Sequence, residues 1–264
     1  MNNGDLILLD FTAKVKDTGD LIETTIEEEG KKIGDFDEDF VFKPRLVAVG
    51  DSWVLKGLDE ALAEAEIGKQ VNIDIPPEKG FGVRDASKTS LFPLKKFRDK
   101  ADQISVGSEI EIDGRIGIVR FVGSGRAQID FNHRYAGRTL EYNFTVVKKI
   151  EDNKEMINEI IDRRIPNSVE KITVDIEQNI ANINIPDEYF LLEGLQIIKR
   201  AIANEIMKYV KDVNQVSYIE QFKTTQNNDK NKVEDKDKVE ESTEQETSTD
   251  DSDIQNESTE EKVE

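Results

Sequence analysis

Apolar residues crowd the stretch LILLDFTAKV at 6–15, and the polar quintet Lys16-Asp17-Thr18-Gly19-Asp20 ends it, which predicts a strand and a turn. LIETTI at 21–26 predicts a second strand. Residues 27–44, charged and glycine-bearing, predict a long loop or bulge before RLVAVG at 45–50 resumes as a strand. Over GLDEALAEAEIG at 57–68, Leu58, Leu62 and Ala65 fall on one helical face, so a short helix is expected with Gly68 as its C-cap. QVNIDIPP then alternates, with Val71, Ile73 and Ile75 on one face, until two prolines stop it because proline cannot donate to a ladder.

Near residue 84 the texture changes to short runs. SEIEIDGRIGIVRFVGSGRAQIDF at 108–131 predicts brief strands, with Asp113-Gly114 as a hairpin turn and Gly123-Ser124-Gly125 as a second turn. Alternation returns in TLEYNFTVV at 139–147, so the chain is expected to leave a β domain, build a smaller β unit and come back. From 151 to 222 the pattern reads helix–strand–strand–helix–strand. Met156, Ile157, Ile160 and Ile161 share a face of the first helix. Ile172, Val174 and Ile176 alternate, with IANINIP as their hairpin partner. The strongest helical periodicity runs over 187–213, where Leu191, Leu195, Ile198, Ile202, Ile206, Tyr209 and Val213 form one stripe, and VSYIEQF closes the domain. The expected fold class is α+β.

Charge adds a fourth region. The 264 residues carry 36 basic and 56 acidic side chains, a net charge of −20, which argues against a binder of nucleic-acid phosphates. From 223 to 264 there are 15 acidic and 6 basic residues, four aliphatic ones and no aromatic one. Such a segment buries too little apolar area to offset its ordering entropy and is expected to be disordered, either as a solubilising appendage or as a docking tail for a basic partner. With no cysteine there is no disulfide, thiolate nucleophile or Cys-ligated metal, and the single histidine, His133, removes two-histidine schemes. No apolar run approaches a membrane span and the opening MNNGDLILLDFT lacks the regions of a signal peptide, so a cytoplasmic protein is expected.

Taken in order, several stretches are diagnostic together: the first strand with Phe11, GDLIETT with Glu23, GDSWVLKGLDEALAEAEIGKQVNIDIP, KGFG with Phe81, FNHRYAG with His133, and LEYNFTVV with Tyr142. Residues 1–150 thereby resemble the FKBP-type peptidyl-prolyl cis–trans isomerases, and among them the SlyD-like branch, whose flap carries an inserted chaperone domain. Residues 151–222 look similar to the extra domain of long archaeal members. The resemblance implies an FKBP-like antiparallel half-barrel around a short helix at 1–83 and 132–150. It also implies an insert-in-flap domain at 84–131, a mixed C-terminal domain at 151–222 and the acidic tail at 223–264.

The resemblance also implies a pocket. Phe11 and Tyr142 would be aromatic walls, Val54 and Leu55 the helix entrance, and Leu58 the floor, where many members outside the branch carry tryptophan. The Leu55 backbone N–H would bond a substrate carbonyl. Glu23 takes the usual aspartate position, Phe81 the usual tyrosine position, and His133 and Tyr135 the asparagine–histidine motif at the flap's return. Two departures follow. Phe81 lacks the hydroxyl that donates to bound peptide, a loss of about 0.5–1.5 kcal/mol, and Glu23 is one methylene longer than aspartate, which displaces its carboxylate. By residue type alone, Phe11, Phe81 and Tyr142 would be core aromatics, His133 a structural histidine and Glu23 a solvated strand carboxylate.

Such a pocket needs no nucleophile or acid. Rotation about the peptide C–N bond faces a barrier of about 18–20 kcal/mol, because resonance separates charge across a planar amide. X-Pro isomers are nearly isoenergetic yet exchange slowly. A dry aromatic pocket removes the water that solvates the planar form, and one N–H on the carbonyl holds the peptide through the twisted transition state. No cofactor or metal is expected, since the His-rich nickel-binding tail of SlyD-like proteins has no counterpart here. The implied partners are unfolded or nascent polypeptides containing proline, with no nucleic acid and no membrane. In the insert, LFPLKKF (Leu91, Phe92, Pro93, Leu94, Phe97) would either be an exposed client-binding patch or form the insert's own small core. The alternatives to an isomerase with chaperone activity are a holdase without turnover and a scaffold working through 151–222 and the tail.

Overall fold

A computed structural model describes residues 1–32, 41–97 and 104–222; the acidic segment 223–264, expected to be disordered, lies outside the described residues. The first sheet contains β1 (Leu6–Val15), β2 (Leu21–Thr24), β3 (Arg45–Ala48), β4 (Gln70–Ile75) and β9 (Leu140–Lys149). Its order is β2-β1-β9-β4, with β3 on the same edge of β1 as β2. Alternation along β1 divides its side chains between two cores. Ile7, Leu9, Phe11 and Ala13 enter one, closed by Leu58 and Leu62 of α2 (Lys56–Glu64). Leu6 is buried in the other, with Leu46 and Ala48 of β3 and Ile157, Ile160 and Ile161 of α3 (Asn153–Arg164). Burial on both faces is why LILLDF and RLVAV read as nearly continuous apolar runs.

The second sheet, order β5-β8-β7-β6, is built from β5 (Thr89–Pro93), β6 (Glu109–Ile112), β7 (Arg115–Gly123) and β8 (Arg126–Asp130). Both expected turns are present, with Asp113 and Gly114 at φ 53° and 72° and Ser124 and Gly125 at φ 51° and 72°. These left-handed pairs match the twist of two-residue hairpins. A Cβ on Gly117 would stand 2.6 Å from Ile129 Cγ2, so only glycine lets β7 lie against that core. The third region holds α3, β10 (Thr173–Glu177), β11 (Ile180–Ile185), α4 (Leu195–Tyr209) and β12 (Gln215–Glu220), in the expected order. β10 and β11 pair antiparallel; α4 then carries the chain over to β12, parallel to β11.

Three local expectations are corrected. Residues 27–44 are not all loop: α1 spans Glu27–Lys31, with Glu27, Glu28 and Glu29 in its first turn, where acidic charge favours a helix N-terminus. The helix α2 stops at Glu64 rather than reaching Gly68, since Ala65 is already extended at ψ 147° and Gly68 instead turns the chain into β4. Leu191 and Val213 lie outside α4, which spans Leu195–Tyr209. That helix begins after Gly194, at φ 74°, and Leu191 is 96% exposed.

Candidate active site

Strand register assembles most of the implied pocket. Leu9, Phe11 and Ala13 project from one face of β1, and residues paired directly across a sheet share a face. Arg45 pairs with Leu9 and Glu23 with Ala13, so these two side chains flank Phe11 from the neighbouring strands. They meet in an ion pair, and the Arg45 guanidinium lies 4.9 Å from the Phe11 ring centroid. On the other side of β1, Tyr142 pairs with Ala13 and its ring stacks on Phe11 at 5.9 Å and 24°. Burial and the Glu23 carboxylate push the Tyr142 phenol up to about 12, so it remains a neutral hydroxyl.

The loop before α2 is held by the helix it introduces. Asp59, in the first turn, accepts from the Gly50 N–H at 2.7 Å and the Ser52 N–H at 3.1 Å. This fixes Ser52 at φ 57° and presents Trp53, Val54 and Leu55. Val54 and Leu55 pack against the core that holds Phe11, and Leu58 is buried in it. Leu55 is the N-cap residue of α2, and its N–H has no acceptor among the described residues, as the start of a helix requires unless a ligand supplies one.

A second aromatic group sits at the return from the insert. Phe81 packs against the same core and stacks on His133 at 4.2 Å and 12°, with Tyr135 at 5.5 Å from Phe81 and 5.8 Å from His133. The Tyr135 N–H donates to His133 Nδ1 at 3.3 Å. Burial, helped by Arg134, lowers the His133 pKa below its ordinary value, which favours the neutral imidazole. All nine implied pocket residues therefore fall into two groups that meet on one core: Phe11, Glu23, Val54, Leu55, Leu58 and Tyr142, and then Phe81, His133 and Tyr135. Sequence reasoning missed Arg45. Its signal was a cation heading the apolar run LVAV, one residue before the strand becomes fully buried.

In the insert, the residues implied for client binding, Leu91, Phe92, Leu94 and Phe97, divide. Phe92, Leu94 and Phe97 pack against Ile112, Val119, Ala127 and Ile129, whereas Leu91 is 58% exposed on the opposite face. Leu91 pairs with Gln128, which pairs with Phe121, and Phe121 is also exposed. Among the described residues no three His, Cys, Asp or Glu side chains come together as a metal site.

Comparison with known proteins now bears on this arrangement. Residues 1–97 match the family model described as FKBP-type peptidyl-prolyl cis-trans isomerase, 90–135 the model of the FKBP26 IF domain, and 153–223 that of the FKBP26 C-terminal domain. A short-type peptidyl-prolyl cis-trans isomerase of Methanocaldococcus jannaschii is 30% identical over 146 residues, covering 55% of this chain and 92% of that protein. The chain belongs to the FKBP-type peptidyl-prolyl cis-trans isomerases. Other FKBP-type relatives include a 16 kDa isomerase of Escherichia coli, 26% identical over 56% of this chain and 93% of that one. The SlyD isomerase of Helicobacter pylori is 27% identical over 52% of this chain and 75% of its own length. In this FKBP-type isomerase the region matched by the C-terminal-domain model packs, through Ile157, Ile160 and Ile161, on Leu6, Leu46 and Ala48 at one end of the outer face of the sheet that carries Phe11 and Tyr142.

Proposed function

We propose that this protein isomerises X-Pro bonds in unfolded or partly folded polypeptides, in a pocket walled by Phe11 and Tyr142. Val54 and Leu55 form its entrance, Leu58 its floor, and Phe81, His133 and Tyr135 its rim. The stacked Phe11–Tyr142 pair, on the same core as Leu55, whose N–H has no acceptor among the described residues, carries the reading, because it combines a water-excluding wall with one donor for the prolyl carbonyl. Phe81 contributes surface and no hydroxyl. Glu23 is tied to Arg45, so it shapes the wall instead of meeting the peptide.

The division into an isomerase domain at 1–83 and 132–150, an insert at 84–131, a C-terminal domain at 151–222 and a tail at 223–264 belongs to the same proposal. In it the insert holds client chains through its exposed face with Leu91, Ile116 and Phe121, while Phe92, Leu94 and Phe97 keep that face in shape. Tethering raises the client's effective concentration at the pocket and offsets the missing Phe81 contact.

The test is the cis-to-trans rate of an Ala-Pro or Leu-Pro peptide with catalytic amounts of protein. Acceleration that falls in Phe11→Ala and Tyr142→Ala variants is expected. A variant lacking 84–131, with the gap bridged, should keep the peptide rate and slow the catalysed refolding of a proline-limited protein. No acceleration by the wild type, with client aggregation still suppressed, would make the protein a holdase.

A further inference from the structure

Between the β2–β3 edge of the first sheet and α3 lies a cavity of about 520 Å³, lined from both sides by residues of the isomerase sheet and of the C-terminal region. Pro44, Leu46 and Trp53 line it, with the Arg163 guanidinium lying over the Trp53 ring at 3.8 Å from its centroid. Its cations are already matched: Lys43 with Asp162, Arg45 with Glu23, and Arg163 and Arg164 with Glu205. Glu159 also lines it, half-buried, and its carboxylate has no hydrogen-bond or ion-pair partner among the described residues. Burial and the adjacent Asp162 raise its pKa above the ordinary value, with Glu155 acting the same way and Lys43 and Lys148 against it. A half-buried carboxylate with no cation in direct contact is costly and is stabilised by any cation that reaches it.

Arg45 links this cavity to the pocket just proposed, since the residue that lies over the Phe11 ring also lines the cavity. An extended polypeptide advances roughly 3.3 Å per residue, so a chain seated at Phe11 reaches past Arg45 within a few residues. We propose that the cavity is a second subsite for that same polypeptide and takes a lysine or arginine side chain flanking the proline, with its stem on Pro44, Leu46 and Trp53 and its charge at Glu159. The C-terminal region, through α3, thereby selects among substrates of the isomerase. This rests on the isomerase reading, and the experiment separates the two.

The experiment measures kcat/KM for proline peptides in which one lysine is walked from four residues before the proline to four after, against the same peptides with glutamine. One placement should be favoured by about three- to tenfold, the range of a partly exposed ion pair. Glu159→Gln should abolish that preference and leave the glutamine peptides unchanged. Glu170→Gln, which removes an exposed charge elsewhere, should preserve it. Trp53 is the chain's single tryptophan and lines the cavity, so titrating its fluorescence with both peptides gives their affinity ratio even without turnover. Turnover with no lysine preference at any placement, or a preference that survives Glu159→Gln, overturns the subsite and leaves the isomerase standing. If no peptide is turned over, the isomerase reading falls, and equal affinities by fluorescence then overturn the subsite as well.

Discussion

The sheet that carries Phe11 and the sheet of the insert follow the same alternating pattern, yet they are covered differently. Among the described residues thirteen buried hydrophobic residues, Phe11 and Tyr142 among them, form the core of the first sheet, against four in the insert. The outer face of the first sheet is also closed at one end, where Leu6, Leu46 and Ala48 meet the isoleucines of α3, whereas the outer face of the insert leaves Leu91, Ile116 and Phe121 open. A sheet covered twice holds side chains in fixed rotamers, which an aromatic pocket acting by shape and dryness requires. A sheet covered once, with little core, keeps apolar surface available for varied chains.

The largest effect should come from attacking the smaller core. Ile129 is fully buried and touches the Gly117 gap, so Ile129→Ala should cost about 2–5 kcal/mol. A unit with so small a core has little more than that to lose. Hydrogen exchange should show protection lost in β5–β8 and kept in β1 and β9. Simultaneous loss in both sheets would mean that they fold as one cooperative unit and that the contrast between them is only geometric.

Next in size is the exposed face itself. Leu91→Ser with Phe121→Ser removes apolar surface that supports no core, so melting should be unchanged while suppression of client aggregation falls several-fold. Unaltered suppression would place client capture elsewhere and break the link between sparse cover and binding. Smaller again is Arg45→Gln. The charge partner of Glu23 disappears beside Phe11 and Tyr142, and peptide kcat/KM should fall by about three- to tenfold, the scale of one partly exposed ion pair. Glu23→Gln combined with Arg45→Gln should recover part of that loss, because the remaining carboxylate is then no longer unpaired.

The elements were legible where periodicity was long and cover was simple. The order of 151–222, both insert turns and the apolar face of β4 follow from spacing alone, since a strand or helix with one buried side must show it in its apolar residues. The α1 turn was not legible because its apolar content is nil and only its run of glutamates favours a helix start. Leu191 was misread because it continues the stripe of α4 in register, while Gly194 resets the backbone between them. For the pocket, residue types and family motifs named nine positions but not Arg45: a cation heading an apolar run marks a strand start, and only register shows that it flanks Phe11. It pairs across from Leu9 on a strand reached after a long excursion, and no local pattern encodes that partner.

The smallest effect separates a pocket acting by shape from one acting by proton transfer. Two of its titratable rings are held neutral: Tyr142, buried and facing the Glu23 charge, is pushed up to about 12, and His133 is lowered by burial. The peptide rate should therefore be flat from pH 7 to 9, where an acid–base mechanism would bend, and a slope there would count against desolvation as the source of catalysis. Stability, in contrast, should respond above that range. In the folded state Tyr142 holds its proton past the ordinary tyrosine value of 10.0, so its contribution is complete below that value and is lost as pH rises towards about 12. The shift corresponds to roughly 3 kcal/mol, which Tyr142→Phe should remove from the alkaline slope of denaturant unfolding while the flat region of the rate profile stays flat.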